Sequence, residues 1–436
     1  MTASLIAFAL LLGLAFLRVP IAFAMALTGA AGFAMLRGPD AAGAMVGQAV
    51  FETGLSYSLS VVPLFIFMGN VLAASGIAHG LFSGADRLFG RFRGGLAMAT
   101  VLSCGGFSAV CGSSLATAAT MSKVAMPSMR RFGYHDSLST GAIAAGGTLG
   151  ILIPPSVILI IYGILTESDI GKLFVAGLLP GVLGIALYLI AVLVAVRMNP
   201  KLAPPVSETV PMSRRDTMGV LGTLGLFAFI MAGIYGGFFT PIEAAGMGAG
   251  ASLLIAFGMG EMTLAALGRA FADTASATAM IFAIIIGAEI FGNFVSFAGL
   301  PDAIADLVYD LDINPWLVML AIVAIYLALG TVFESLSMIL LTVPVFYPVV
   351  EYLQFASPIL RDPEHVVIWF AIIVVVATEI SLITPPVGMN VFVLRSVVRD
   401  VQLGTIFRGV FWFWVADILR IALIVGVPSL SLWLVG

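Results

Sequence analysis

Apolar residues fill this chain in long stretches, with only short polar interruptions between them. Crossing a bilayer as a helix takes about 20 predominantly apolar residues, and on that measure the pattern predicts about ten spanning helices. They fall near residues 3–17, 20–36, 61–80, 137–165, 173–196, 217–237, 241–258, 272–298, 366–394 and 409–434. Two further apolar stretches fit no single crossing. Residues 94–129 lie between Arg93 and the Arg130-Arg131 pair, and both basic clusters belong on the cytoplasmic side. One crossing would strand one cluster outside. The stretch is therefore read as a re-entrant hairpin turning at Cys111-Gly112-Ser113-Ser114. Residues 316–348 form its mirror, entering from outside and turning near Phe333-Glu334-Ser335-Leu336-Ser337. Residues 45–57 and 262–271 read as interfacial arms.

Two of the predicted helices are broken from within, at Pro154-Pro155-Ser156 and at Thr384-Pro385-Pro386. A proline removes a backbone donor and clashes with the preceding turn, so two in a row force the helix to unwind. In hydrocarbon the freed backbone groups survive only where protein, water or a bound solute satisfies them. A matched pair of interrupted helices points to the solute and ion site of a secondary transporter. The chain is expected to move a solute across a membrane.

The two halves resemble each other in order. Gly69-Asn70 followed by Ser75-Gly76-Ile77 matches Gly292-Asn293 followed by Ala298-Gly299-Leu300, Pro127 falls opposite Pro348, and the diprolines follow. Loop charges then differ in sign: Arg87, Arg91 and Arg93 in the first half face Asp302, Asp306, Asp310 and Asp312 in the second. Since Lys and Arg mark the cytoplasmic side, equivalent loops lie on opposite faces, which is an inverted repeat. The expected organisation is a scaffold and arm over 1–60, a first repeat over 61–200, a linker with scaffold and arm over 201–271, and a second repeat over 272–436. The repeats carry the hairpins 94–129 and 316–348 and the broken helices 137–165 and 366–394. The fold class is an all-α polytopic membrane protein with both termini outside.

Composition agrees: the 436 residues are 61% hydrophobic and 10% charged, where a soluble domain carries about 25% charged residues. A net charge of −4 indicates no nucleic-acid partner. Cys104 and Cys111 share one apolar stretch and read as small apolar fillers. No basic residue precedes the first apolar stretch and Arg18 follows it, the reverse of a signal peptide, so it is read as a retained helix. The linker carries Arg197, Lys201, Arg214 and Arg215, which place it in the cytoplasm, and Pro200, Pro204, Pro205 and Pro211 should keep it extended.

Sodium takes oxygen ligands. Candidates are the carbonyls around Pro154, Pro155, Pro385 and Pro386, with Ser113, Ser114, Thr117, Ser156, Ser335, Ser337, Thr384 and Asn390. For the ion itself the set narrows to Gly112, Ser113, Ser114, Thr148, Ser335 and Thr384. Exposed helix N-termini suit a substrate carboxylate. Among acids in or beside apolar stretches (Glu243, Glu289, Glu334, Glu379), Glu334 at the second tip is a candidate for binding a cation or a proton. Glu243 and Glu379 read equally as structural, bonding unwound backbone, and Lys123 reads as snorkelling. His79, His135 and His365 are scattered, and no catalytic motif is present, so neither an enzyme nor a cofactor is expected.

These residues resemble a known family. The run Gly146-Gly147-Thr148-Leu149-Gly150-Ile151-Leu152-Ile153-Pro154-Pro155-Ser156, continuing to Gly177-Leu178-Leu179-Pro180-Gly181, is similar to the large membrane subunit of tripartite ATP-independent periplasmic (TRAP) transporters. So are Gly112-Ser113-Ser114-Leu115-Ala116-Thr117, Phe239-Thr240-Pro241-Ile242-Glu243 and Leu382-Ile383-Thr384-Pro385-Pro386-Val387-Gly388-Met389-Asn390. The resemblance implies a sodium-coupled, elevator-type importer of an organic acid in a bacterial inner membrane. It also implies a small four-helix membrane subunit, here expected to be a separate chain, and a soluble periplasmic binding protein. Dicarboxylates, sialic acids, keto acids and sugar acids all stay open. Many members carry an Asp-Thr-Thr-Pro-like run at the second tip, where this chain has Glu334-Ser335-Leu336-Ser337. The alternative is a stand-alone anion carrier or antiporter of the same superfamily.

Overall fold

The computed structural model describes residues 2–204, 212–260, 262–311 and 313–436, so Pro205 and Pro211 of the expected linker and Asp312 lie outside the described residues. Every regular element among the described residues is helical. In the first half these are α1 (Thr2–Phe16), α2 (Ile21–Arg37), α3 (Pro39–Leu55), α4 (Val61–Ala74), α5 (Ile77–Phe89), α6 (Gly95–Cys111), α7 (Ser114–Arg131), α8 (Asp136–Thr148), α9 (Val157–Leu165) and α10 (Ile170–Met198). The second half holds α11 (Arg214–Tyr235), α12 (Pro241–Gly258), α13 (Leu264–Phe297), α14 (Leu300–Asp310), α15 (Pro315–Gly330), α16 (Ser335–Glu351), α17 (Pro363–Ser381), α18 (Met389–Val397), α19 (Leu403–Gly426) and the short α20 (Ser429–Leu432).

Among the described residues, α10, α11, α12, α13, α17 and α19 are each long and apolar enough to cross a membrane alone. The arm α3 and the segment beginning at Ser58 qualify only as a pair, bent by 57°. The expected count of about ten crossings also takes α1 and α2 as full spans and each broken helix as one. The two arms differ. The first is separated from α4 by the bend, whereas the second continues without interruption into the 34 residues of α13. No proline lies between Leu264 and Phe297, so nothing there frees a backbone carbonyl and stops the helix.

The halves repeat the same order: a helix, a left-handed glycine (Gly76 or Gly299), an amphipathic helix, a hairpin, a broken helix and a long closing helix. Every residue of α17 from Val366 to Ser381 is buried, which makes it the axis of the bundle. The outer helices instead present apolar side chains such as Phe23, Phe51 and Leu254 outward, as lipid requires. Small residues weld the outer layer. A methyl group on Gly29 of α2 would lie 2.7 Å from the Phe291 Cα in α13, and one on Gly287 of α13 would strike the Ala22 carbonyl. In lipid, helices associate through such close backbone packing.

Candidate functional site: two hairpin tips against two helix breaks

The first tip forms because α6 ends at Gly112 with φ +62°, a left-handed conformation that glycine adopts without strain. Ser113 then caps α7, its Oγ accepting the Ala116 N–H at 3.3 Å. A methyl on Gly112 would sit 3.5 Å from the Pro155 carbonyl oxygen, so the tip rests on the first break. Gly147 of α8 lies equally close to the opening turn of α7, where its methyl would be 3.2 Å from the Ser114 carbonyl. Across the break α8 stops at Thr148, the chain turns through the diproline, and buried Ser156 caps α9, accepting the Leu159 N–H at 3.2 Å. The Ser156 hydroxyl in turn donates to the Ile151 carbonyl.

The second half repeats the arrangement with different caps. The Glu334 carboxylate caps α16, accepting the Ser337 N–H at 3.4 Å, and Ser335 and Ser337 are buried behind it. Gly330 at the end of α15 abuts the Ser381 side chain, where α17 stops at the second break. Thr384 donates to the Ile380 carbonyl at 2.6 Å and accepts the Trp414 indole N–H at 3.0 Å. Asn390, fully buried in α18, donates its amide to the Ala144 carbonyl of α8 at 3.1 Å, while its Oδ1 has no partner among the described residues. Both diprolines contain a cis peptide bond.

Hairpins and breaks also interlock between halves, because α18 packs on α7 and α16 packs on α9. Four helix N-termini (α7, α9, α16 and α18) begin at the tips and breaks, each the positive end of its helix dipole; side chains cap the first three, and the Asn390 N–H of α18 donates to the Leu382 carbonyl. The structure thus gathers Gly112, Ser113, Ser114, Thr148, Pro154, Pro155 and Ser156 in one region. In the second half the hairpin meets the break at Gly330 and Ser381, with Glu334, Ser335 and Ser337 on the tip and Thr384, Pro385 and Pro386 in the break, while Asn390 reaches across to α8. Thr117 stays inside the first hairpin, bonded to Ser108 at 3.2 Å. Ser113, Ser156, Thr148 and Thr384 each use their oxygen at least partly on local backbone.

Residues read as less direct candidates fall elsewhere. Glu243 forms a capping box with Thr240 at the start of α12, and Lys123 is exposed. Glu289 of α13 accepts the Thr53 hydroxyl of the arm at 2.6 Å, on the wall of a cleft of about 570 Å³ that also includes Glu52 and Glu167. At the end bearing the basic clusters, Arg130 grips Asp136 at 2.8 Å and Asp400 at 2.7 Å, tying the hairpin to the loop before α19. The Arg130 hydrogen bond holds the Asp400 carboxyl below its ordinary range.

Sequence reasoning missed a buried polar network behind the breaks. Arg420 of α19 donates to Glu379 of α17 at 2.6 Å and to the Pro180 carbonyl of α10 at 3.1 Å. Tyr188 of α10 donates to Asp417 at 2.5 Å and lies 3.3 Å from the Thr148 hydroxyl. The available signal was an acid and a base three residues apart inside an apolar stretch, Asp417 and Arg420.

A family model described as the tripartite ATP-independent periplasmic transporter, DctM component, matches residues 8–430. The C4-dicarboxylate TRAP transporter large permease protein DctM of Pseudomonas aeruginosa is 36% identical over 387 residues, covering 88% of this chain and 87% of that protein. The sialic acid TRAP transporter large permease protein SiaM of Vibrio cholerae is 32% identical over 387 residues, covering 87% and 86%. The solved YdaH transporter of Alcanivorax borkumensis has a TM-score of 0.66 at 15% identity over 90% of this chain and 88% of that one, a likeness of fold alone.

Proposed function

The chain belongs to the DctM component family of tripartite ATP-independent periplasmic transporters as a large permease subunit, a multi-pass membrane protein, and from that premise we propose that it performs sodium-coupled uptake of an organic acid anion. The observation that carries the proposal is the pairing of each hairpin tip with a helix break, interlocked across the halves. Carbonyls and hydroxyls at the breaks supply oxygen ligands for sodium, and the helix N-termini supply donors for a carboxylate. The relatives' names include a C4-dicarboxylate and sialic acid, both carboxylates, which favours that solute class here. Because the tips and breaks brace one another, the reading favours movement of the hairpin bundle as one body past the outer helices, an elevator-type exchange of access.

In this reading the protein sits in a bacterial inner membrane with both termini outside. It works with a small four-helix membrane subunit and a periplasmic binding protein. Independent capture domains rarely fall below about 50 residues, and the segments between helices among the described residues are far shorter. High-affinity capture is therefore assigned to the separate binding protein.

Proteoliposomes holding both membrane subunits test the reading. Uptake should require the binding protein and an inward sodium gradient, and should collapse when the gradient is removed while a membrane potential is kept. Full-rate accumulation of free solute by this chain alone would favour a stand-alone carrier. Uptake driven undiminished by a proton gradient would move the coupling role to Glu334 as a proton carrier.

A further inference from the structure

The network around Arg420 has no assigned role. Its guanidinium is wholly buried, and α10 makes room for it at Gly184, where a methyl would lie 2.7 Å from the Arg420 Cζ. Arg420 holds Glu379 and Pro180 directly, and its Nη1 lies 3.5 Å from Asp417 Oδ1. Two arms run from it, one toward each break. One passes through Asp417 and Tyr188 to Thr148, the last residue of α8. The other passes through Glu379 of α17. Glu379 itself lies just before Ser381, where α17 gives way to the second break. One cluster therefore links the end of α8 at the first break to the last turn of α17 before the second.

Stability alone does not account for it. Desolvating two carboxyls and a guanidinium consumes most of what their attraction returns, and a well-packed apolar set often serves stability as well or better. Glu379 Oε1, Asp417 Oδ1 and Arg420 Nη2 also lack hydrogen-bond partners among the described residues. What the cluster supplies is direction, since a planar guanidinium fork fixes the angles of whatever it holds.

We propose that Arg420, Glu379, Asp417 and Tyr188 are positioning residues that set the sodium affinity of the transporter by holding Thr148 at the first break in register with the second break. The inference rests on the sodium-coupled reading above. None of the four touches the ion; each acts as a residue behind a ligand does, on the angle and reach of the groups in front.

The test is uptake against sodium concentration by the complete transporter, in wild type, Glu379→Gln and Tyr188→Phe. Half-saturating sodium should rise about tenfold or more in Glu379→Gln, the scale on which residues behind metal ligands act. Tyr188→Phe should move it the same way, with the solute KM at saturating sodium nearly unchanged. A network that only stabilised the fold would lower the melting temperature and leave half-saturation where it was, and that result overturns the proposal. Should Glu379→Gln fail to fold, Tyr188→Phe decides alone, since it removes one hydroxyl and no charge. Wild-type uptake indifferent to sodium would sink the coupling reading and the proposal with it, whereas sodium dependence unchanged by both substitutions sinks only the proposal.

Discussion

At the scale of single residues, the fold rests on places where one added methyl has nowhere to go. A methyl on Gly409 of α19 would drive into the Ser137 carbonyl of α8. Backbone yields less easily than a side chain, so Gly409→Ala should cost about 1–3 kcal/mol, the usual range for overpacking. Thermal unfolding in detergent checks this, with Gly13→Ala as the control, since nothing lies within 4 Å of a methyl there. Ser113→Ala should lose about 1 kcal/mol as α7 loses its cap, and Ser113→Asp should recover most of it in the same assay. The roles of such hydroxyls were not legible beforehand. Ser113, Ser114 and Ser156 look alike in sequence, and only coordinates show that Ser113 and Ser156 cap helices. Arg420 was hidden for a different reason. Its partners Glu379 and Pro180 are remote along the chain, so periodicity on α19 shows a base in an apolar stretch and nothing about what neutralises it.

Among whole elements, punctuation in the chain was the most readable feature. Prolines stop a helix by local chemistry, so both breaks were visible before any fold was known, and the flanking arginines gave the first hairpin its ends. The fusion of the second arm into α13 was not visible, because an amphipathic arm and a spanning helix differ only in where the bilayer begins. Replacing Pro385 and Pro386 by alanine should let α17 extend toward α18 and satisfy its own carbonyls. Uptake in the double variant is expected to fall more than tenfold relative to wild type, about 1.4 kcal/mol or more, with membrane yield retained; equal uptake would show the break to be dispensable. The Arg130–Asp400 tether gives a pH dependence with a definite sign. The folded Asp400 carboxyl titrates below its ordinary value, so its small contribution is complete above the unfolded pKa of about 3.9. It is lost as pH falls through the lowered folded value. Asp400→Asn should flatten that part of the acid melting profile, and an unchanged profile would count against the tether.

Across the molecule as a whole, opposite loop charges and a repeated element order lead to one geometric claim, that the halves face opposite ways. Phe92 and Tyr309 are both exposed, at 54% and 86%, and mark equivalent places in the two repeats. Cysteines introduced at these positions should react with a membrane-impermeant label from opposite sides, and reaction from one side only would break the claim. Composition had already placed the chain in a bilayer, yet it said nothing of which helices form the inner bundle, because lipid and protein interior are equally apolar. Where α2 meets α13, glycine against backbone, parting the helices would return no apolar surface to water, since lipid would take its place. Such an attachment lacks the large heat-capacity change that accompanies burial from water. Chilling, which loosens water-driven association, leaves this kind of contact nearly untouched. The outer layer is in that respect a solid joint rather than an oil drop, as firm in the cold as in the warm.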